Sequence, residues 1–521
     1  MNPLAAREEA REIVAPRALG LRDAPSPRHI LVLQLARLGD LVQTWPLFVR
    51  LRQVYPGARL TLLTDQRLLA LNAVGPRVDE VQGFDFLGLT SLAEQDWPGS
   101  YQRVAGLLQD LRAREFDLVF NLNFSRLSLL LTYLLGAPAK GYLPAAGGRD
   151  FSREPWLAWI YSLVHARRFN RFHLTDVFRH LAPDPAVAAT PPAPAAFPGG
   201  EPLIALQLAT RHARRTWPLE HFTRLAEFFV SRIRARVLLL GTKAERDLGE
   251  RLRAALPPAL RERVVNLQGE TGLEELAAQL KQTHLLISGD TGTLHLATAL
   301  GVPCLALFLG PALCFETGPY GCGHYVLQAE PPCHPCLEAA SPCPQEGQVC
   351  LEMLPPLAVG QLVAGLLEQG GVTPDLRLPA GARLYRSQMD AFGVFYQPLG
   401  EAPPRFVDLV GLAYRQAGVW LAGRMHEFGG VAPIPAPPPP PPTPYWERNK
   451  LSSADLRALA VLVASMKQGT PVPPDLPEVA AALRPLLAFQ GEMQRQGKEK
   501  LFFGVKDVFT TQLESWLNKT R

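Results

Sequence analysis

Two stretches of this chain run from an apolar strand through a glycine-containing turn straight into a helix, and they constrain the fold more than anything between them. The first is Arg28–Phe48, RHILVLQLARLGDLVQTWPLF; the second is His284–Pro311, HLLISGDTGTLHLATALGVPCLALFLGP. A short, continuously apolar run bounded by turn residues marks a strand buried on both faces of a parallel sheet. The helix that follows brings free backbone N–H groups and a carboxylate to the carboxyl edge of that sheet, where doubly wound folds hold their ligands. Two such edges in one chain predict two α/β domains facing each other across a cleft.

The surrounding sequence alternates strand and helix in the same way. In the first half, Ile30–Leu35, Ala58–Thr64, Val78–Phe84 and Phe116–Phe124 read as strands, with helices over Asp40–Val54, Tyr101–Arg114 and Leu127–Leu135. In the second, strands over Leu203–Leu208, Ala235–Gly241, Val264–Leu267 and His284–Ser288 alternate with helices over Leu219–Arg232, Ala244–Ala255 and Leu273–Lys281. Right-handed crossovers make open doubly wound sheets the expected outcome. Between the halves, 181–202 is so rich in proline that it reads as a hinge, since proline lacks an N–H and fixes φ. The expected organisation is an arm over 1–27, α/β domains over 28–180 and 203–369, an accessory region over 370–431, a polyproline II spacer over 432–446 and a helical tail over 447–521.

Composition narrows the function classes. With 47% hydrophobic residues the 521-residue chain has enough apolar content for globular domains, and no run approaches the roughly 18 apolar residues of a membrane span. The amino end lacks an apolar signal core, so a cytoplasmic protein with at most peripheral membrane contact is expected. A net charge of +5 tolerates an anionic small molecule. Its arginine clusters, Arg211–Arg215 and Arg232–Arg236, lack interleaved aromatics, so nucleic acid is not expected as a partner.

Three segments carry candidate chemistry. In LARLGDL, Gly39 permits close approach, and Asp40 is either a helix cap or a general base for an alcohol. In SGDTGTLH, the N–H groups of Thr291, Gly292 and Thr293 suit a pyrophosphate at the positive end of a helix. Asp290 can accept sugar hydroxyls, and His295 lies one turn on; an Asp cap followed by a satisfied histidine is the competing reading. Thr210–Pro218 follows a strand directly and offers arginines that can pair with phosphate or simply lie in solvent.

These segments resemble the heptosyltransferases of lipopolysaccharide synthesis, glycosyltransferase family 9. The likeness rests on LVLQLARLGDLVQTWPL (Leu31–Leu47), TWPLEHF (Thr216–Phe222), LLLGTKAER (Leu238–Arg246), LISGDTGTLHLATALGVPCLALFLGP (Leu286–Pro311) and ETGPYGCGH (Glu316–His324). It implies the GT-B architecture: two Rossmann-like doubly wound α/β domains facing a cleft, here with a helical C-terminal accessory region. It further implies an inverting transfer of heptose from ADP-heptose to a hydroxyl, without a catalytic metal. Asp40 matches the family's proposed base, and Arg215 stands where the family has a phosphate-contacting lysine. Glu245, beside Gly241, matches a residue at the donor ribose. Asp290, Thr291, Gly292 and Thr293 match the sugar and pyrophosphate site, with His295 on the same helix. A nucleotide-sugar epimerase or hydrolase, and a non-catalytic assembly protein that keeps the nucleotide-sugar site, are the alternatives.

All seven cysteines fall between Cys304 and Cys350, which excludes a disulfide framework for the whole fold. Cys333, Cys336, Cys343 and Cys350 form C-x2-C-x6-C-x6-C, a spacing able to close four thiolates around one zinc or iron ion, with free thiols, disulfides or an iron–sulfur cluster as alternatives. This cluster resembles the iron-binding finger of family members that modify autotransporter proteins and form large oligomers. That likeness implies a structural iron or zinc, a homo-oligomer, and a protein Ser/Thr acceptor as well as a lipopolysaccharide inner-core sugar.

Overall fold

The computed structural model describes residues 26–144, 151–184, 200–337, 343, 347–373, 376–400, 404–425 and 451–520. Nearly all of the expected arm, most of the proline hinge, the polyproline spacer and part of the four-cysteine loop lie outside these residues. The chain divides into two compact units. One holds the described parts of Met1–Tyr161, Val177–Ala186 and Trp420–Pro435, and the other those of Ser162–Asp176, Val187–Val419 and Ala436–Arg521.

The first unit is built on β1 (His29–Gln34), β2 (Arg59–Asp65), β3 (Glu80–Phe84), β4 (Leu118–Asn121), β5 (Ala139–Pro144) and β6 (Phe151–Arg153). Their order in the sheet is β3-β2-β1-β4-β5-β6, parallel except for β6. Ile30–Leu33 are each 0% exposed, which is why this segment carries no polar alternation. The order reverses between β1 and β4, the position at the carboxyl ends of the strands where doubly wound sheets hold ligands. Past β6, helices Pro155–Ser162 and Leu174–Arg179 order a stretch whose sequence looked irregular, seated on the fully buried Trp156 and Trp159.

One expected helix is broken. Asp40–Val54 is two helices, Leu38–Gln43 and Trp45–Val54, meeting at Thr44. Pro46 is the cause, because its ring cannot donate and clashes with the preceding turn of a continuous helix. The carbonyl of Asp40 accepts instead from the Thr44 hydroxyl at 2.9 Å and the Gln34 amide at 3.4 Å.

The second unit repeats the design with β7 (Leu203–Gln207), β8 (Arg236–Leu240), β9 (Val264–Asn266), β10 (Leu285–Ser288), β11 (Cys304–Phe308) and β12 (Tyr325–Ala329), followed by β13 (Ala382–Met389) and β14 (Val394–Leu399). The order is β14-β13-β12-β11-β10-β7-β8-β9, with β7 to β12 parallel, so the reversal falls between β7 and β10. Two doubly wound α/β sheets with a helical C-terminal region are the architecture expected of a GT-B chain.

The second sheet continues past residue 369, where a separate accessory region was expected. β13 and β14 are an antiparallel hairpin on its edge. Charged side chains disguised it: Arg383 pairs with Glu330 and Asp408, Arg405 joins both, and the Tyr385 hydroxyl donates to Glu330 at 2.7 Å. Burial raises the Asp408 carboxyl, but Arg405, Arg171 and Arg383 overcome this and hold it down to about 2. The helices Ser453–Gln468, Pro477–Arg495 and Glu499–Thr520 then pack on one another, with Leu459, Phe489 and Phe509 fully buried. Among the described residues no helix is long and apolar enough to cross a membrane.

Candidate functional site

The reversal between β7 and β10 explains how Arg215 and Asp290, far apart in sequence, come together. The loop after β7 carries Arg215 in a single 3-10 turn, Ala213–Arg215, and the turn after β10 carries Asp290. Adjacent parallel strands deliver both loops to the same edge. Arg215 Nη1 donates to Asp290 Oδ2 at 2.5 Å, with the two side chains 20% and 8% exposed. Gly289 makes this approach possible: a Cβ there would sit 2.8 Å from Thr210 Cγ2 and 3.3 Å from the Arg215 carbonyl oxygen.

His295 Nε2 lies 3.7 Å from Asp290 Oδ1, an ion-pair separation too long for a hydrogen bond, and its Nδ1 has no hydrogen-bond partner among the described residues. Burial pushes the Asp290 carboxyl upward; His295, Arg215 and the Thr317 hydroxyl outweigh it and leave the group below its ordinary range. Asp290 is therefore a carboxylate at neutral pH.

The cap of the helix Gly292–Ala299 is Thr291, not Asp290. The Thr291 hydroxyl accepts from Leu294 N at 3.2 Å and meets the Ser288 hydroxyl at 2.8 Å. Thr293 is turned inward, donating to Gln207 Oε1 at 2.9 Å. These two hydroxyls thus build the site instead of offering themselves to a ligand. The N–H groups of Gly292 and Thr293 belong to the first turn, where no intrahelical acceptor exists, and a helix end of this kind is able to receive an anion.

Gly241 and Glu245 lie after β8, next to β7 in the same sheet. Gly241 has φ +158°, and a Cβ on it would fall against the Glu245 carboxylate and Gln268. Glu245 accepts from Thr242 N at 2.8 Å and is half-buried. It can present its second oxygen to a hydroxyl.

In the first unit, Gly39 is helical and Asp40 stands one turn into Leu38–Gln43, its Oδ2 accepting from Arg37 N at 3.2 Å. The carboxylate is half-buried. Around it the carboxyl ends of β1 and β4 are tied together by amides. Asn123 Oδ1 accepts from Leu35 N at 2.8 Å, its Nδ2 donates to the Leu33 carbonyl at 2.7 Å, and Asn121 donates to the Tyr142 carbonyl at 2.9 Å.

Residues 104–346 match the profile of glycosyltransferase family 9 (heptosyltransferase). Lipopolysaccharide heptosyltransferase 1 of Pseudomonas aeruginosa is 28% identical over 60% of this chain and 86% of its own length. The chain is a glycosyltransferase, similar to family 9 over residues 104–346. Lipopolysaccharide heptosyltransferase 3 of Escherichia coli is 23% identical over 52% of this chain and 79% of that relative. Among solved structures, the ADP-heptose lipopolysaccharide heptosyltransferase II of E. coli matches with 20% identity and a TM-score of 0.49, covering 66% of this chain and 99% of that one.

This glycosyltransferase departs from the expectation at the cysteines. Cys333, Cys336, Cys343 and Cys350 do line one pocket with His334, Arg214 and Gly310. Yet all are free cysteines, and among the described residues no group of three or more His, Cys, Asp or Glu is arranged to hold a metal ion. The expected structural iron or zinc site is therefore corrected. Burial pushes the Cys336 and Cys350 thiols up, which favours the neutral thiol over the thiolate that a metal needs.

Sequence reasoning also missed Arg167, Asn170 and His173. Arg167 grips Glu316 through Nε at 3.0 Å and Nη2 at 2.6 Å, Asn170 donates to the same carboxylate at 3.1 Å, and His173 Nε2 donates to the Gly318 carbonyl at 2.8 Å. Glu316 and Gly318 lie in the Glu316–His324 motif, and Arg167 also donates to the Pro311 carbonyl at 2.7 Å, but nothing in the sequence of 164–178 announces the pairing.

Proposed function

We propose that this glycosyltransferase moves a heptosyl group from ADP-heptose to a sugar hydroxyl of the lipopolysaccharide inner core, with inversion at the anomeric carbon. The observation that carries the reading is the Arg215–Asp290–His295 cluster beside the Gly292 and Thr293 amides, a site with both a diphosphate-binding half and a hydroxyl-accepting half. The names of the relatives from P. aeruginosa and E. coli supply the sugar and the class of acceptor.

A guanidinium carries five donors in a planar fork, so Arg215 can keep Nη1 on Asp290 and turn others to phosphate oxygens. Asp290, ionised at neutral pH, accepts donor-sugar hydroxyls, and Glu245 accepts from the ribose. Asp40 takes the acceptor proton as the acceptor oxygen forms its bond to the anomeric carbon. The bond to the diphosphate breaks on the opposite face, and its electron pair goes to the departing ADP. Arg215 and the two amides stabilise that growing charge, a contribution typically worth about 10²–10³ in rate per well-placed donor.

The protein-hydroxyl acceptor drew its support from the four-cysteine metal finger, and the sugar acceptor does not depend on it. The test is mass-spectrometric: ADP-heptose with a heptose-free lipopolysaccharide core, and separately with cell protein. Heptosylated core is the expected product. Labelled protein with an unchanged core reassigns the acceptor, and full donor turnover with neither present makes the protein a hydrolase or epimerase.

A further inference from the structure

Phe124 follows the sealed Asn123 directly, yet it is 53% exposed, and Tyr161 is 37% exposed. The rings of Phe124 and Tyr142 meet edge to face with centroids 5.2 Å apart, and Phe124 and Tyr161 lie 6.0 Å apart, tilted by 34°. Three different elements deliver them: the loop after β4, the strand β5 and the helix Pro155–Ser162. Each is held from behind. Asn123 is bonded to Leu33 and Leu35, and Asn121 to the Tyr142 carbonyl. Trp156 and Trp159 are fully buried under the helix, with Trp156 Nε1 donating to the Val177 carbonyl at 3.0 Å. Leaving an aromatic ring half in water forgoes about 1–2 kcal/mol of burial, and a rigidly backed cluster of such rings is what a binding surface requires.

We propose that Phe124, Tyr142 and Tyr161 form a stacking platform for the sugar ring of the acceptor. The inference rests on the transfer reading above and deepens it. A sugar ring is apolar on its C–H faces and polar around its rim. An exposed aromatic covers the face while leaving the hydroxyls to polar groups, the division of labour found in ligand sites generally. The position suits an acceptor: Asn123 bonds Leu35 N, so the platform begins where β1 ends, and the chain from Leu35 leads in one turn to Asp40. The patch passes directly into Ser125 and the exposed Arg126, which suits a small polar ring better than an acyl chain.

The test compares Phe124→Ala, Tyr161→Ala and the conservative Phe124→Tyr with the wild type, using a deacylated heptose-free core oligosaccharide as acceptor. In transfer assays the two alanine variants should raise the acceptor KM about tenfold, equivalent to about 1.4 kcal/mol, with the donor KM within about twofold. Phe124→Tyr should restore the acceptor KM. Calorimetric titration of the oligosaccharide without donor gives a second readout, and the alanine variants should weaken it by the same factor. An unchanged acceptor KM and unchanged binding in both alanine variants overturn the platform and leave the transfer reading intact. Wild-type binding that is lost in Phe124→Ala, without any transfer, overturns the transfer reading and keeps the platform. Absence of both binding and transfer in the wild type overturns both.

Discussion

The reversal points of the two sheets share one topology and differ in chemistry. Between β1 and β4 the strand ends are locked by neutral amides, Asn121 and Asn123, with Gln34 and Thr44 engaging the Asp40 carbonyl. Between β7 and β10 the same crossing point holds a guanidinium, a buried carboxylate and a histidine within ion-pair distance. The first arrangement holds a half-buried carboxylate that accepts a backbone N–H, the setting of the proposed base. The second supplies cationic charge and helix amides, as a diphosphate needs. The scaffold fixes where loops converge, and the loop residues decide which charge is welcomed there.

Asp40→Asn breaks the comparison most severely. The amide can still accept from Arg37 N, so the fold and its melting temperature should be unchanged, but the proposed proton acceptor is gone. Transfer should fall by about 10²–10⁴, the usual contribution of a positioned base. Steady-state rates at saturating donor and acceptor check it, and turnover within about threefold of wild type removes Asp40 from the role. On the other side, Arg215→Met should lower kcat/KM for the donor by about 10²-fold, while Arg215→Lys, keeping the charge and losing the fork, should recover most of it. Calorimetry with ADP separates the two units: Arg215→Met should weaken ADP binding and Asp40→Asn should not.

Much of this was legible in one dimension, and the failures have physical causes. Continuously apolar runs such as Ile30–Leu33 and Leu285–Ile287 are buried on both faces, so their strands could be read directly. The β13–β14 hairpin escaped because ARLYRSQM carries arginines whose charge is neutralised by Glu330 and Asp408, residues of other elements. Asp290 and Arg215 were both expected at the donor site, but their direct ion pair was not, since it exists only through the strand order. Cysteine spacing suggested a metal, while burial of the thiols, which argues the other way, is a property of the folded chain.

The second unit should also be the acid-sensitive one. Burial holds the His173 imidazole down to about 3 and the His324 imidazole down to about 4, against an ordinary 6.5. Below 6.5 the unfolded chain binds these protons and the folded unit does not, so stability falls with falling pH through this window, by up to about 1.4 kcal/mol per pH unit for each histidine. Asp290 acts in a different window. Its depressed carboxyl gives stability that is present above the ordinary carboxylate value of 3.8 and is lost as pH falls through its lower folded value. Denaturation midpoints at pH 7 and pH 5 test the histidine window: His173→Gln, which keeps a donor for the Gly318 carbonyl, should flatten the slope. An unaltered slope assigns the acid loss elsewhere.

The smallest effect distinguishes the two helices that leave the reversal points. Both begin with a hydroxyl cap: Ser125 accepts from Ser128 N at 3.2 Å, and Thr291 accepts from Leu294 N at 3.2 Å. Removing either hydroxyl leaves one first-turn N–H without its acceptor, so Ser125→Ala and Thr291→Ala should each cost about 1 kcal/mol of stability. Their consequences for binding should differ. The Thr291 cap sets the direction of the Gly292 and Thr293 amides proposed to hold diphosphate, so Thr291→Ala should weaken ADP a few-fold and Thr291→Ser should restore it. Ser125 caps a helix on the acceptor side of the proposed reaction, and Ser125→Ala should leave ADP affinity unchanged. Equal losses of ADP affinity in both variants would mean that the two ends are not chemically divided, and the assignment of diphosphate to the second unit alone would fall.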